Sequence, residues 1–252
     1  MLRFHEIVFG PIHSRRLGSS LGINLLPLNG KLCNFDCVYC ECGWNMDGRG
    51  DRSLPEPEEV EKALVSKLEE CRKDGTPIDS ITFSGNGEPT LHPHFPEIVD
   101  MTVCLRDRLC PEARISVLSN ATMLGRDGVL EALKKVDNPI LKLDAATDGD
   151  IMVMNRPSGH YSVDEVVANL HKFHGNFVLQ TMFMRMEGTG LPSDKGVREW
   201  IGIARELRPR EIMVYTIDRE TPAKGLSKLT VEEMRNLVSP LIAEGFNVII
   251  SG

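Results

Sequence analysis

The sequence has no excess of positive charge: 29 Lys and Arg stand against 36 Asp and Glu, a formal charge of −7. A broad nucleic-acid-binding surface carries the opposite balance, so only a local basic patch is left open. No apolar run approaches the length of a membrane span or the core of a secretory signal. No linker, low-complexity run or internal repeat divides the 252 residues, which suit a single domain over 1–252 with ample material for a core. Nor do the seven cysteines read as the framework of a small secreted disulfide protein. They point instead to a reducing, cytoplasmic setting and to ligand chemistry.

What is present is concentrated in Cys33-Asn34-Phe35-Asp36-Cys37-Val38-Tyr39-Cys40. Thiols spaced C-x-x-x-C-x-x-C can wrap one loop around a metal cluster, because thiolates are soft ligands suited to iron–sulfur chemistry. Three ligands leave one iron open to a small molecule, whereas a structural site closes its coordination. The alternatives are zinc, with Cys42 as a fourth thiolate, or a set of unrelated buried thiols. The single residue between Cys40 and Cys42 makes an awkward pair for a tetrahedral site.

Around this stretch the apolar pattern alternates. The segment 23–28 reads as a first strand, ended by the Asn29-Gly30 turn, and 41–54 as a polar loop over the thiols. Helices are predicted over 55–72, 95–105, 126–136, 163–173, 195–207 and 231–243. Strands are predicted over 80–83, 114–118, 140–143, 177–183, 212–216 and 248–250. Repeated strand–helix units imply an α/β fold with a parallel sheet, curved into an open barrel that stops short of eight units. Ligands of such sheets lie beyond the carboxyl ends of the strands. There the sequence places Gly85 to Glu88, Ser119 and Asn120, Asp144, Gln180 with Thr181, and Tyr215 with Asp218.

The cysteine spacing, with the aromatic Tyr39 just before the last cysteine, resembles the radical S-adenosylmethionine (SAM) superfamily. A second segment, Ser84-Gly85-Asn86-Gly87-Glu88-Pro89-Thr90, looks like the glycine-rich "GGEP" stretch of these enzymes, with Asn86 where glycine is more usual. The resemblance implies a partial (β/α) barrel of about six parallel strands. It implies a [4Fe-4S] cluster on Cys33, Cys37 and Cys40, with SAM at the open iron. SAM contacts are then expected from Tyr39, Gly85, Asn86, Gly87 and Glu88, with Ser119, Asn120 and Asp144 as ribose or methionyl partners. Gly85 and Gly87, without side chains, would let the backbone approach the methionyl amine.

The implied chemistry is reductive cleavage of SAM to a 5′-deoxyadenosyl radical that abstracts hydrogen from an unidentified substrate: a small molecule, a protein or an RNA. An external electron donor such as flavodoxin or ferredoxin goes with it. The segments 10–18 and 143–157 resemble an uncharacterised subgroup distantly related to the wyosine-synthesis (TYW-like) iron–sulfur oxidoreductases. No cysteine follows Cys110, whereas many radical SAM enzymes carry auxiliary clusters on C-terminal extensions. The alternatives are an activase of glycyl-radical enzymes, an RNA-modifying enzyme, and a non-enzymatic iron–sulfur module for electron transfer or sensing.

No side chain is singled out as catalytic. Arg15 and Arg16 read either as anion contacts or as a solvated pair, and Arg156 either as a contact to SAM or substrate or as a support for Asp144. Trp44 and Met46 read as a cover for SAM or as packing. His13, His92 and His94 read as loop residues rather than ligands, and His171 and His174 as helix-end residues. Cys71, Cys104 and Cys110 are expected in the core.

Overall fold

The computed structural model describes residues 2–14, 17–48 and 50–252; Arg15 and Arg16, considered above as anion contacts, lie outside them. The first half of the chain forms β1 (Val8–Ser14), β2 (Gly18–Ile23), α1 (Pro57–Asp74), β3 (Ser80–Phe83), α2 (Phe95–Leu109), β4 (Arg114–Ser119), α3 (Val129–Lys135) and β5 (Asn138–Lys142). The second half forms α4 (Asp148–Met154), α5 (Val163–His171), β6 (Val178–Met182), β7 (Met184–Met186), α6 (Asp194–Leu207), β8 (Glu211–Tyr215), β9 (Leu226–Lys228), α7 (Val231–Ala243) and β10 (Val248–Ser251).

Helix boundaries follow local chemistry. Helix α1 starts with a capping box between Glu56 and Glu59 and stops at left-handed Gly75, and α7 starts with a capping box between Thr230 and Glu233. Helix α6 turns Val197, Trp200, Ile201, Ala204 and Leu207 inward, a spacing that makes one apolar stripe.

Strands β2 to β6, β8 and β10 run parallel, and β1 adds an antiparallel edge beside β2. The sheet curls into a half-barrel with seven parallel strands, in keeping with the expected partial barrel of about six; β7 and β9 pair apart as a short ribbon. Its outer face is apolar, with Leu21, Ile81 and Ile115 in register across β2 to β4 and fully buried.

The inner face is different. Its lowest layer is a chain of hydroxyls: Ser20 to Thr82 at 2.8 Å, Thr82 to Ser80 at 3.0 Å, Ser80 to Ser116 at 3.0 Å, and Asn138 Nδ2 to Ser116 at 3.1 Å. Above it Ile140, Val178 and Met213 pack with Leu118 and with Leu17 from the β1–β2 turn. The two-residue period then sets Lys142, Gln180 and Tyr215 on the same face, at the carboxyl ends.

The first parallel strand ends at Ile23, where the sequence pattern had it begin. Asn24 turns the chain out of the sheet, its Oδ1 accepting from Leu26 N at 3.2 Å and Asn86 N at 3.1 Å. Strand β1 escapes a period-2 reading because Gly10 and Pro11 interrupt it and its register slips between Phe9 and Ile12. Cys71 is buried and Cys110 partly so, but Cys104 is exposed, on the solvent side of α2 rather than in the core.

The side chains of the hydroxyl layer are linked to one another in one hydrogen-bonded chain. Ser116→Ala should cost about 1–2 kcal/mol in urea unfolding, chiefly by stranding the Asn138 amide.

Candidate functional site

The loop after β2 is joined to the segment after β3 as a one-residue extension of the sheet. Leu32 N donates to Asn86 O at 3.0 Å and Glu88 N donates to Leu32 O at 3.0 Å. This contact requires glycine. At Gly87, with φ +138°, a Cβ would lie 1.9 Å from Leu32 O, and at Gly85, with φ +153°, 2.3 Å from Asn24 Oδ1. The space left by the absent side chains is thus filled by the neighbouring loop, and Gly87, not Gly85, also borders the site cavity.

Asn86 is fully buried and faces away from that cavity. Its Nδ2 donates to Phe4 O at 2.8 Å and Pro27 O at 2.9 Å, and its Oδ1 accepts from Phe4 N at 3.0 Å. The residue that departs from the glycine pattern is a staple for the N-terminal segment, so its expected contact to a cofactor has no side-chain basis. The same segment reaches the cysteine loop through Leu2 N to Glu41 O at 2.8 Å.

Glu88 is buried and saturated. Its carboxylate accepts from Thr90 N at 3.1 Å, Thr90 Oγ1 at 2.5 Å, Ser119 Oγ at 2.9 Å and Asn120 N at 2.7 Å. Burial pushes its carboxyl above the usual range even so. Asn120 in turn donates to Asn34 Oδ1 at 2.8 Å, and Asn34 Nδ2 to Thr122 Oγ1 at 2.7 Å, which ties the cysteine loop to the end of β4.

The other side of the loop rests on the end of β5. Tyr39 OH donates to Asp144, and Asn155 Nδ2 lies 2.7 Å from Asp144 Oδ2, 2.9 Å from Tyr39 OH and 3.3 Å from Cys37 Sγ. Met182 N completes the Asp144 shell at 2.9 Å. Beside it Lys142 stands 3.5 Å from Asp144 Oδ1, donates to Tyr215 OH, and lies over the Tyr39 and Tyr215 rings at 5.2 and 5.0 Å. Burial alone would lower this ammonium's pKa; the Asp144 carboxylate and the Tyr215 hydroxyl hold it above the ordinary lysine range.

Cys33, Cys37 and Cys40 border one cavity of about 290 Å³, together with Glu88, Ser119, Asn120 and, from the later strands, Lys142, Gln180 and Tyr215. Among the described residues no three His, Cys, Asp or Glu side chains converge on one ion-sized point. Three thiols around a shared cavity suit a multi-atom cluster. The donors facing them suit charged sulfur: Phe35 N at 3.4 Å and Asn120 Nδ2 at 3.9 Å from Cys33 Sγ, and Asn155 from Cys37.

Lys31 is buried next to the loop, bonded to Gly43 O at 2.6 Å. A hydrogen bond from Cys42 outweighs burial and, with Lys31, holds the Cys40 thiol at about 6, while burial and Cys40 push Cys37 up to about 11. Cys42 Sγ lies 3.5 Å from Gly85 O, and Cys42 does not border the cavity.

Several readings of single residues change. Trp44 is half-buried with Arg156 stacked over its ring at 5.0 Å, Met46 is exposed, and none of the three borders the cavity. Asn155, not Arg156, supports Asp144. His92 is buried, its Nε2 3.0 Å from Pro55 O, and His94 and His13 are exposed. Lys31 and Lys142 lie outside the motifs, and Asn34 and Asn155 lie inside the segments 33–40 and 143–157 without a role readable from residue type; the position of Lys142 two residues before Asp144 was the one signal.

The model of the Radical SAM superfamily matches residues 30–190. The chain belongs to the radical SAM superfamily. More narrowly, UPF0026 proteins of Helicobacter pylori and Methanocaldococcus jannaschii are 30% and 27% identical to it over 251 and 238 residues, covering 96% and 92% of this chain and 75% and 70% of theirs.

Solved structures share the fold. A radical SAM methyltransferase from Sphaerobacter thermophilus matches with a TM-score of 0.69 at 16% identity, over 92% of this chain and 65% of that one. Streptococcus suis SuiB bound to S-adenosylmethionine matches with 0.66 at 16%, over 89% and 49%. TYW1 with a lysine-pyruvate adduct matches with 0.64 at 15%, over 92% and 76%. The chain therefore spans about half of SuiB and just under two thirds of the methyltransferase.

Two outcomes test this architecture. Asn86→Ala, and Asn86→Gly equally, should lose about 2–4 kcal/mol in urea unfolding, since both strand the Phe4 and Pro27 backbone groups. Asp144→Asn leaves a buried ammonium without its anion and should cost about 3 kcal/mol, most of it recovered when Lys142→Met is added.

Proposed function

We propose that this chain is a radical SAM enzyme whose cluster ligands are Cys33, Cys37 and Cys40. The observation that carries this is the bordering of one cavity by these three thiols and by the carboxyl ends of β4, β5, β6 and β8. When bound, a [4Fe-4S] cluster supplies one electron for cleavage of SAM to methionine and a 5′-deoxyadenosyl radical, which takes a hydrogen atom from the substrate.

The chain's own residues position and shield. Asn155, Phe35 N and Asn120 direct N–H groups at the ligand sulfurs, a arrangement that stabilises thiolate over thiol. Glu88 acts through Ser119 and Asn120, whose placement it sets, rather than as a free partner for an ammonium. Gly87, Glu88, Ser119 and Asn120 border the cavity beside the thiols. The Asn120 side chain is engaged by Asn34, Cys33 and Thr122 and the Glu88 N–H by Leu32, so Gly87 is where backbone can meet SAM. Tyr39 and Asp144 serve as supports of the loop. Phe35, Leu118, Met182 and Ile217 give the cavity apolar wall, which keeps water from a reactive carbon centre. A one-electron donor of the flavodoxin or ferredoxin class is the matching partner.

The test is anaerobic reconstitution with iron and sulfide, reduction with dithionite in the presence of SAM, and chromatography for 5′-deoxyadenosine. Product is expected from the wild type, with a loss of about a hundredfold or more in Cys37→Ala. Full cluster occupancy without SAM binding or product would favour an electron-transfer or sensor module.

A further inference from the structure

The inner face of β5 and β6 carries two polar side chains that the cysteine-loop network leaves unused. Lys142 and Gln180 are register partners on adjacent strands, face into the half-barrel, and border the same cavity as the thiols. Gln180 is only 5% exposed as a residue; its side-chain amide makes no hydrogen bond to another described residue and is not among the enclosed unpaired atoms, so it opens onto the cavity that it borders. An amide at a cavity wall offers its N–H donors and its carbonyl acceptor to whatever occupies that cavity.

Lys142 has three N–H donors. One reaches Tyr215 OH, and Asp144 at 3.5 Å already accepts from Tyr39, Asn155 and Met182. A donor is left over. Among the described residues the other cation on the cavity wall is Arg219, which is exposed and bound by Glu41.

We propose that Lys142 and Gln180 bind a carboxylate of the substrate, one oxygen accepting from Lys142 Nζ and the other from the Gln180 amide nitrogen. One ammonium beside one neutral amide matches a planar monoanion with two oxygens; a phosphate dianion calls for more positive charge. Asp144 keeps the lysine protonated, which suits an anion contact and opposes attack on a carbonyl. Gly87 follows β3 and Gln180 lies on β6, three strands on, or about 14 Å along the arc at ~4.8 Å per strand. That span separates a second ligand from SAM. The proposal rests on the radical SAM reading only for what else occupies the cavity.

The probe is propionate, with neutral propionamide as control, followed by saturation-transfer NMR on the reconstituted protein with its cluster oxidised, with and without SAM. Propionate should bind in the millimolar range, about tenfold more weakly in Lys142→Met and severalfold more weakly in Gln180→Leu, with Lys142→Arg restoring most of the loss. Propionamide should not bind. The idea fails if wild type does not bind propionate, if both loss variants bind it as wild type does, or if propionamide binds as well. It fails equally if SAM displaces propionate, since the site then belongs to the cofactor's own carboxylate. Circular dichroism monitors folding, and Gln180→Leu keeps the test decisive if Lys142→Met does not fold. Absence of 5′-deoxyadenosine would overturn the radical reading and leave this binding readout intact.

Discussion

Two backbone hydrogen bonds between Leu32 and the Asn86–Glu88 segment hold the site together. Through them a loop with no regular structure of its own becomes a continuation of the sheet, and the thiols inherit the sheet's rigidity. The pairing exists only because Gly87 has no Cβ. Asn24 and Asn86 close the same junction from below, each using its side chain where a longer strand would use backbone. Buried polar groups therefore fix the loop by mutual satisfaction, a tighter specification than apolar contact gives.

The half-barrel extends this principle inward. A closed eight-unit barrel fills its interior with branched apolar side chains. Here hydroxyls line the bottom, a thin apolar layer with Leu17 sits above them, and charge collects at the top. Asp144 links the halves: it supports the cysteine loop through Tyr39 and balances Lys142 on the later strands. Loss of that carboxylate disturbs both sides at once, which is why its partners behave as one unit rather than as separate contacts.

Much of this was legible in the linear pattern. Strand–helix alternation returned the parallel order of β3 to β6, β8 and β10, since period-2 apolar runs and amphipathic stripes are local signals. The hairpin edge β1 was not, because Pro11 and a register slip break the period. Asn24 ended a strand that its apolar neighbours appeared to continue, a local side-chain bond overriding propensity. The thiols of the cysteine loop, Glu88 and Asp144 were visible as residue types at strand ends, but not their partners. Asn34, Asn155 and Lys31 act across 88, 118 and 12 residues of separation, respectively, and no spacing encodes such pairs.

By itself the sequence determined the family and the fold: three thiols on one loop, a glycine-rich segment, and the alternation that commits the chain to a parallel sheet. These depend on residue type and short-range spacing. Only the tertiary structure decided that the Asn86 side chain is a staple for the N-terminal segment, that Glu88 is already saturated, and that Lys142 stands beside Gln180 on the cavity wall. Those facts depend on which strands lie next to each other and which way each side chain faces, and packing sets both across distances that a linear pattern does not carry.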